Sequence, residues 1–297
     1  MSAAVNTTAA GMAAAPRRGR RGGAPRGGRT WVAYLVAILV IGLTVVPLLF
    51  VILGGFRTNA ELNSDPAALV PHHWVWSNYT SVLSNGQFWR NIYNSILIAV
   101  VATAIAVGVG SMAAYALSRY DFRGREAFYS FFTIGLLFPI GVAALPLFLL
   151  LHDLHMLEHW WGVAIPESAF SLPATIVILR PFMRAVPGEI EDAAMLDGAS
   201  RLGFFWRILL PLSRPALITV GILAFVTSWN AYLLPLLAFN DQNNFTLPLG
   251  VANFQTQYTQ DTAKILAFTG LSMVPALAFL AIAERRIVGG LTGAVKG

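Results

Sequence analysis

Long stretches without any charged residue are the feature that most limits what this chain can fold into. The four longest stretches lie at 30–56, 91–118, 127–152 and 215–240. A helix needs about 20 apolar residues to cross the hydrocarbon core of a bilayer, and each stretch exceeds that length. Only 11% of all residues are charged, against about a quarter in soluble domains. We therefore predict a membrane protein that crosses the bilayer several times.

Six segments are predicted to span the membrane. Because lipid offers no partner to an unpaired backbone group, each segment is expected to be a helix, with kinks at some of its prolines. Two shorter uncharged gaps supply the fourth and sixth spans, and Gly108-x-Gly110 in the second span is predicted to mark close helix packing. The predicted spans are 31–53, 92–117, 127–150, 162–184, 216–239 and 265–284.

The basic residues are unevenly divided between two sets of loops. Seventeen of the 20 Lys and Arg lie in the N-terminal tail, after the second span, around the fourth and fifth spans, or at the C-terminus. The other loops hold only Arg57, Arg90 and Lys264. The positive-inside rule then predicts that both termini are cytoplasmic. Residues 1–30 are rich in Ala, Gly and Arg, which predicts a disordered basic tail beside anionic lipid headgroups and not a nucleic-acid site.

The segment between the fourth and fifth spans carries the most informative pattern, and we call residues 187–211 the 187–211 loop. Pro187 can open a helix, and Glu191 near its start suits the helix dipole. Gly198 is predicted to end this helix. Ser200 is predicted to cap a second short helix that ends near Leu210.

One face of the first predicted helix is thin. Ile190, Ala193, Ala194 and Asp197 recur at helical spacing, and the two alanines would allow another protein to approach closely. An ordinary amphipathic loop lying on the bilayer is the alternative interpretation.

The loop resembles the EAA loop of ABC-importer permeases. That family's pattern is Glu-Ala-Ala, three residues, Gly, nine residues, Ile, one residue and Leu-Pro. Here Asp192-Ala193-Ala194 is followed in the same register by Gly198, Ile208 and Leu210-Pro211, with Asp in place of Glu. The resemblance implies a set of residues that couple this chain to an ATPase: Glu191, Asp192, Ala193, Ala194, Asp197, Gly198, Ile208, Leu210 and Pro211.

Other segments resemble the carbohydrate branch of that family, specifically the maltose-type second permease. The resemblance covers about residues 31–297. It implies an all-α, six-helix transmembrane domain of the type I ABC-importer class behind the tail at 1–30. The matching positions are Phe56-Arg57-Thr58, Glu61, Pro71, Asn78-Tyr79, Phe88, Asn94-Ser95, Trp229-Asn230 and the C-terminal segment 286–297.

The function that this resemblance implies is that of a permease subunit of an ATP-driven sugar importer in the cell (inner) membrane. Its implied partners are a homologous permease subunit, two ATPase subunits and an extracellular or periplasmic sugar-binding protein. An ATP-binding P-loop needs Gly-x4-Gly-Lys-Ser/Thr. The only lysines, Lys264 and Lys296, lack that context. ATP and Mg are therefore predicted to be used by a partner, and this chain is predicted to be no enzyme and to bind no cofactor.

Two polar residues in predicted spans are candidates for the substrate path. Glu167 is the one acid in the interior of a span, since Glu284 is the last residue of the sixth. Such residues default to a functional hypothesis, although an external vestibule could also hydrate Glu167. Asn230 could contact substrate or bond to a neighbouring helix. His152, His155 and His159 share a short external loop, where we predict no metal site.

Three alternatives stay open at this point. The importer could carry another solute, such as glycerol phosphate, an amino acid or a peptide. A His-rich membrane hydroxylase would need clustered histidines on cytoplasmic segments, whereas all five histidines fall in predicted external loops. A self-contained secondary transporter would work without any ATPase.

Overall fold

A computed structural model describes residues 28–255 and 260–294. All regular elements in these ranges are helical, apart from an isolated bridge between Gln255 and Gln260. The α-helices are α1 Gly28–Gly54, α2 Asn59–Ser64, α3 Ser77–Ser84, α4 Gly86–Arg119, α5 Arg125–Gly135, α6 Ala144–Asp153, α7 Trp160–Arg184, α8 Gly188–Leu196, α9 Arg201–Phe204, α10 Leu210–Leu212, α11 Arg214–Trp229, α12 Leu233–Ala238 and α13 Thr262–Ala294. Short 3₁₀ helices lie at Ile140–Ala143, Gln242–Asn244 and Leu249–Phe254, and a π-helical turn lies at Phe205–Leu209.

The chain divides into two units, Met1–Pro47 and Leu48–Gly297. In the first unit the described structure is the N-terminal part of α1, which is strongly apolar. Most of the predicted tail, residues 1–27, lies outside the described residues. All the packing described below belongs to the second unit.

Several helices are long and apolar enough to cross a membrane. Four do so alone, namely Trp31–Gly54, Gly86–Arg119, Trp160–Arg184 and Thr262–Phe279. Two bent pairs pass the same test together, Arg125–Gly135 with Ile140–Asp153 (92°) and Arg201–Leu212 with Arg214–Trp229 (81°). Helices therefore occupy the predicted spans at 31–53, 92–117, 162–184 and 265–284, and the described residues supply between four and six segments that are long and apolar enough to cross a membrane.

The other two predicted spans, 127–150 and 216–239, are interrupted and not merely kinked at a proline. The first is interrupted after Gly135 and resumes at Ile140, because Pro139 has no N–H to continue the hydrogen-bond ladder and restricts the residue before it. The second ends at Trp229 and resumes with α12. Pro235 lies in the first turn of α12, where the missing N–H costs little. The break therefore falls just before that turn.

The centre of the fold is the mutual packing of α4, α7 and α11. Gly110 on α4 lies against Thr175 on α7, and a Cβ at Gly110 would come within 2.5 Å of the Thr175 Cγ2 atom. Close packing is therefore confirmed at Gly110. Gly108 has open space around its Cα, so the prediction does not hold there.

We expect Gly110→Ala to lower the free energy of unfolding by about 1–3 kcal/mol, because the added methyl overpacks a tight helix crossing. The melting temperature of the purified protein in detergent measures this loss. Gly108→Ala is the matched control, since it adds the same methyl to the same helix in open space. An equal fall in both variants would contradict the assignment of the close contact to Gly110.

Arg180 ties three helices together at one end of this bundle. Its side chain is buried, and its Nε donates to the Leu117 carbonyl at 3.1 Å. Its guanidinium also pairs with Glu126 and lies 3.9 Å from the centre of the Tyr129 ring. These contacts join α7 to the end of α4 and to the start of α5.

The segment after α1 is organised around Arg57, which is fully buried. Its guanidinium donates to the carbonyls of Ala68, Glu61 and Asp65 at 2.8, 3.0 and 2.6 Å, and to the Glu61 carboxylate at 3.2 Å. The backbone N–H of His72 donates to the same carboxylate at 2.8 Å. This bond, together with Arg57, outweighs burial and holds the pKa of Glu61 below its ordinary value.

The segment after α12 is held by Glu158, whose carboxylate accepts bonds from the backbone of Asn240 and Asp241 and from the Asn244 side chain. Burial would raise the pKa of Glu158, but these hydrogen bonds prevail and lower it. Because the folded-state pKa is lowered, the contribution to stability is complete above the ordinary carboxyl pKa and is lost as the pH falls through the folded value. Asn94 on α4 donates to the Phe245 carbonyl at 3.0 Å, which fixes the same segment from the other side.

Candidate functional site

The 187–211 loop folds as a helical hairpin in which α8 ends in a Schellman motif. The N–H of Ala199 donates to the Ala194 carbonyl at 2.9 Å, and the N–H of Gly198 donates to the Met195 carbonyl at 3.0 Å. Gly198 has φ +83°, in the left-handed region where glycine avoids the penalty of a Cβ. The predicted helix end at Gly198 is confirmed.

The second helix of the hairpin begins where the sequence predicts. Ser200 is its N-cap, and the Ser200 Oγ accepts the N–H of Gly203 at 3.1 Å. The helical turns continue through the π-helical segment and end at Leu212, two residues beyond the predicted end. The chain then bends by 81° into α11.

A hydrophobic cluster fixes the hairpin on the ends of α4 and α7. The ring of Phe205 stacks on Tyr115 with centroids 5.0 Å apart, and the Tyr115 hydroxyl donates to the Arg201 carbonyl at 3.1 Å. We call this set the loop cluster. Its buried members are Ala114, Tyr115, Leu179, Met183, Ala194, Phe204, Phe205, Leu209, Ala216 and Val220.

Ala194 belongs to this cluster and is 7% exposed, so its side chain points into the fold. We expected Ala194 to share an outward face with Ala193. The difference arises because neighbouring helix positions are rotated by about 100°, and packing against Phe204 and Phe205 determines which one is covered. Spacing alone could not decide this.

The outward face of α8 consists of Asp192, Ala193, Leu196 and Asp197, all exposed. Leu196 is 89% exposed, and our sequence reasoning missed it. The signal that could have identified it is a large apolar residue between two acids, Asp192 and Asp197, in a loop expected to be exposed.

Glu191 is bound within its own chain. Its carboxylate lies 3.7 Å from the Arg119 Nε, and the same guanidinium donates to the carbonyls of Met183 and Val186 at 3.0 and 2.7 Å. Glu191 therefore orients α8 against the end of α4. Ile208 and Leu210 pack against the loop cluster, and Pro211 is exposed.

Glu167 and Ser228 meet between α7 and α11. The Ser228 Oγ donates to the Glu167 Oε2, and both side chains are buried. They line a cavity of about 200 Å³, whose walls also include Phe170, Ser171 and Thr227. These three residues also line a second cavity of about 200 Å³ that extends towards Val220.

The structure places Asn230 outside this cavity lining. Asn230 is exposed at the C-terminal end of α11, and its Nδ2 donates to the Val226 carbonyl of its own helix at 2.8 Å. The described residues contain no group of three or more His, Cys, Asp or Glu that could hold a metal ion. His152 lies at the C-terminal end of α6, 3.3 Å from the Asp153 carboxylate. His159 is the N-cap of α7 and stacks on Trp161.

A family model matches residues 106–288, a range that contains the 187–211 loop, Glu167 and Ser228. The model describes the binding-protein-dependent transport system inner membrane component. The chain belongs to this family. Members are membrane components of transport systems, so family membership supports a multi-pass transport subunit and not an enzyme.

Similar members of the family span nearly the whole chain. The trehalose transport system permease of Mycobacterium tuberculosis is 33% identical, over 87% of this chain and 95% of its own length. The arabinooligosaccharides permease of Halalkalibacterium halodurans is 32% identical, over 90% and 97%. The diacetylchitobiose uptake permease of Streptomyces coelicolor is 32% identical, over 88% and 87%.

Two solved structures share the fold of this family member. One is a bacterial ABC transporter involved in import of the acidic polysaccharide alginate, with a TM-score of 0.74, 22% identity, and coverage of 88% of this chain and 97% of that chain. The other is a bacterial alginate ABC transporter in complex with an alginate pentasaccharide-bound periplasmic protein, with a TM-score of 0.61, 14% identity, and coverage of 86% and 93%. The fold is therefore that of an ABC-transporter membrane chain.

Proposed function

We propose that this chain is the permease subunit of an ATP-driven importer of sugars or oligosaccharides. It forms half of the translocation pathway and docks on a separate ATPase through the 187–211 loop. The observation that carries the coupling proposal is the exposed face of α8, held rigidly on α4 by the loop cluster. A rigid contact of this kind can transmit a change in the ATPase to the membrane helices.

The family and the transported substrates of its relatives support this assignment. The permeases of Mycobacterium, Halalkalibacterium and Streptomyces are named for trehalose, arabinooligosaccharides and diacetylchitobiose, all of them saccharides. Another solute, such as glycerol phosphate, an amino acid or a peptide, is the second candidate. A substrate panel decides between them.

The topology proposed here keeps the six predicted spans, with the interrupted segments 127–150 and 216–239 each counted as one span, so that the 187–211 loop stays on the cytoplasmic side. Both termini then lie in the cytoplasm, in agreement with the distribution of Lys and Arg. Residues 1–30 form a basic tail at the membrane surface, and 31–297 form the transmembrane domain. The chain resides in the cell (inner) membrane.

The complete transporter, on this proposal, also contains a homologous permease subunit, two ATPase subunits and an external sugar-binding protein. The ATPases use ATP and Mg, because the sequence has no P-loop. This chain binds no cofactor itself.

Reconstitution in proteoliposomes tests the proposal. We expect uptake of a labelled saccharide only when both permeases, the ATPases, the binding protein and ATP are present, because this chain contains no motor. Omission of any one protein should reduce uptake to background. Uptake by this chain alone, driven by an ion gradient, would establish a secondary transporter instead.

A further inference from the structure

Glu167 carries a buried carboxylate oxygen that lacks a hydrogen-bond partner. The residue is 7% exposed, and its Oε2 accepts a bond from Ser228. Its Oε1 is buried without a partner among the described residues. Such an oxygen is costly to bury unpaired, and Glu167 lines a cavity. That cavity is therefore suited to a ligand that donates a hydrogen bond.

The cavity has the character of a small-molecule site. Its walls are mainly apolar, and Ser171, Thr227 and Tyr232 add hydroxyl groups, the pattern that orients ligands in pockets. A water molecule occupies about 30 Å³, so a volume of about 200 Å³ is of the order of one sugar ring. The site also lies where α11 is interrupted just after Ser228, and irregular backbone at membrane depth is tolerated where it lines such a cavity.

The charges around the cavity limit which ligands it can accept. No Lys, Arg or His occurs among the described residues that line this cavity or its neighbour. Glu167 and the Tyr232 phenol are the ionisable groups there. An anionic ligand would therefore be desolvated without a counter-charge and close to an acid.

We infer that this cavity is a saccharide subsite in which Glu167 accepts a hydrogen bond from a sugar hydroxyl or ammonium group and which rejects sugars that carry a carboxylate or sulfate. This inference rests on the permease function proposed above and names the substrate class of its pathway. Ser228 is a positioning residue, since it bonds to Oε2 and leaves Oε1 as the carboxylate oxygen without a partner among the described residues. The Glu167 carboxylate is the group that determines specificity.

Charged thiol reagents test the electrostatic part of this proposal, because the chain has no cysteine and any introduced cysteine is unique in it. Thr227→Cys and Ser171→Cys place a thiol in the cavity, and Ala104→Cys places one in a separate groove on α4 without an acid. Each variant is labelled in vesicles containing the assembled transporter, with and without ATP, from about pH 6 to about pH 9. The reagents are cationic and anionic methanethiosulfonates of similar size.

We expect the ratio of cationic to anionic labelling rates in the cavity to exceed the Ala104→Cys ratio by about tenfold at the alkaline end. Adding Glu167→Gln to the cysteine variant should remove this excess. An unchanged ratio after Glu167→Gln would overturn the proposal. So would a failure of both cavity cysteines to react in every nucleotide state.

Protection of the introduced cysteine by added sugars distinguishes a hydroxyl donor from an ammonium donor. Slower labelling of Thr227→Cys by a neutral reagent in the presence of glucose supports a hydroxyl donor, and a larger effect of glucosamine supports an ammonium donor. Equal protection by glucuronate would overturn the exclusion of acids. If saccharide uptake is driven by ATP but cationic reagents label the cavity cysteines no faster than anionic ones, only the subsite is overturned. If the labelling does favour cationic reagents but uptake does not depend on ATP, only the proposed permease function is overturned.

Discussion

Replacing Gly198 by valine is expected to lower ATP-dependent uptake about tenfold or more while the chain remains in the membrane. Gly198 closes the Schellman motif of α8 at φ +83°, and a residue with a Cβ pays about 1–3 kcal/mol in that region, with β-branched residues the least suited. Every 1.4 kcal/mol lost from the docking-competent form is about a tenfold weaker engagement of the ATPase. Uptake in proteoliposomes measures the loss of transport, and co-purification of the ATPase measures its weaker engagement.

Two matched variants distinguish the effect of backbone strain at Gly198 from a sensitivity of the loop to any substitution. Gly198→Asn should keep more activity than valine, because asparagine tolerates the left-handed region. Gly188→Ala, at the start of α8 with open space around it, should transport almost as well as wild type. Normal uptake by Gly198→Val would remove the coupling role from the 187–211 loop.

Ala194 is one of the predicted coupling residues, but replacing it by arginine would not test docking alone. The side chain of Ala194 is enclosed by the loop cluster. An arginine there would bury a charge without a partner and disrupt the fold of the chain itself. Leu196 is the better probe, since it is exposed on the outward face of α8.

Replacing Arg57 by alanine is expected to lower the free energy of unfolding by about 3 kcal/mol or more, because it removes a fully buried guanidinium that donates four hydrogen bonds. The substitution removes the guanidinium donor to the carbonyls of Ala68, Glu61 and Asp65, and it leaves the Glu61 carboxylate with the His72 N–H as its remaining donor among the described residues. We expect a large fall in the melting temperature of the detergent-solubilised protein. Limited proteolysis should also cut the 57–76 segment faster than in wild type.

Arg90→Ala is the control for Arg57→Ala. Arg90 is exposed and makes one bond, to the Asn243 side chain at 2.6 Å, which should contribute about 1 kcal/mol or less. Arg57→Lys should be intermediate, because lysine keeps the charge but not the planar fork that reaches several carbonyls. If Arg57→Ala melts no lower than Arg90→Ala, the 57–76 segment is not organised by this arginine.

The structure gives physical reasons for the resemblance noted after the first span. Thr58 caps α2 by accepting the N–H of Glu61 at 3.1 Å. Asn78 donates to the carbonyls of Gly55 and Arg57, both at 3.0 Å. The hydroxyl of Tyr79 donates to Ile52 at 2.6 Å. Each residue pairs a backbone group in or after the last turn of α1 or at the start of α2, a role that a one-dimensional pattern does not display.

The sequence alone determined the apolar segments, the family resemblance and the local geometry of the 187–211 loop. These depend on neighbouring residues, since Gly198 and Ser200 act on the backbone within three or four positions of themselves. Only the tertiary structure decided that Ala194 points inward, that Glu191 pairs with Arg119, and that Glu167 meets Ser228. Those outcomes depend on which faces of α4, α7 and α11 pack together, and hydrophobic spacing identifies apolar segments without specifying how they pair.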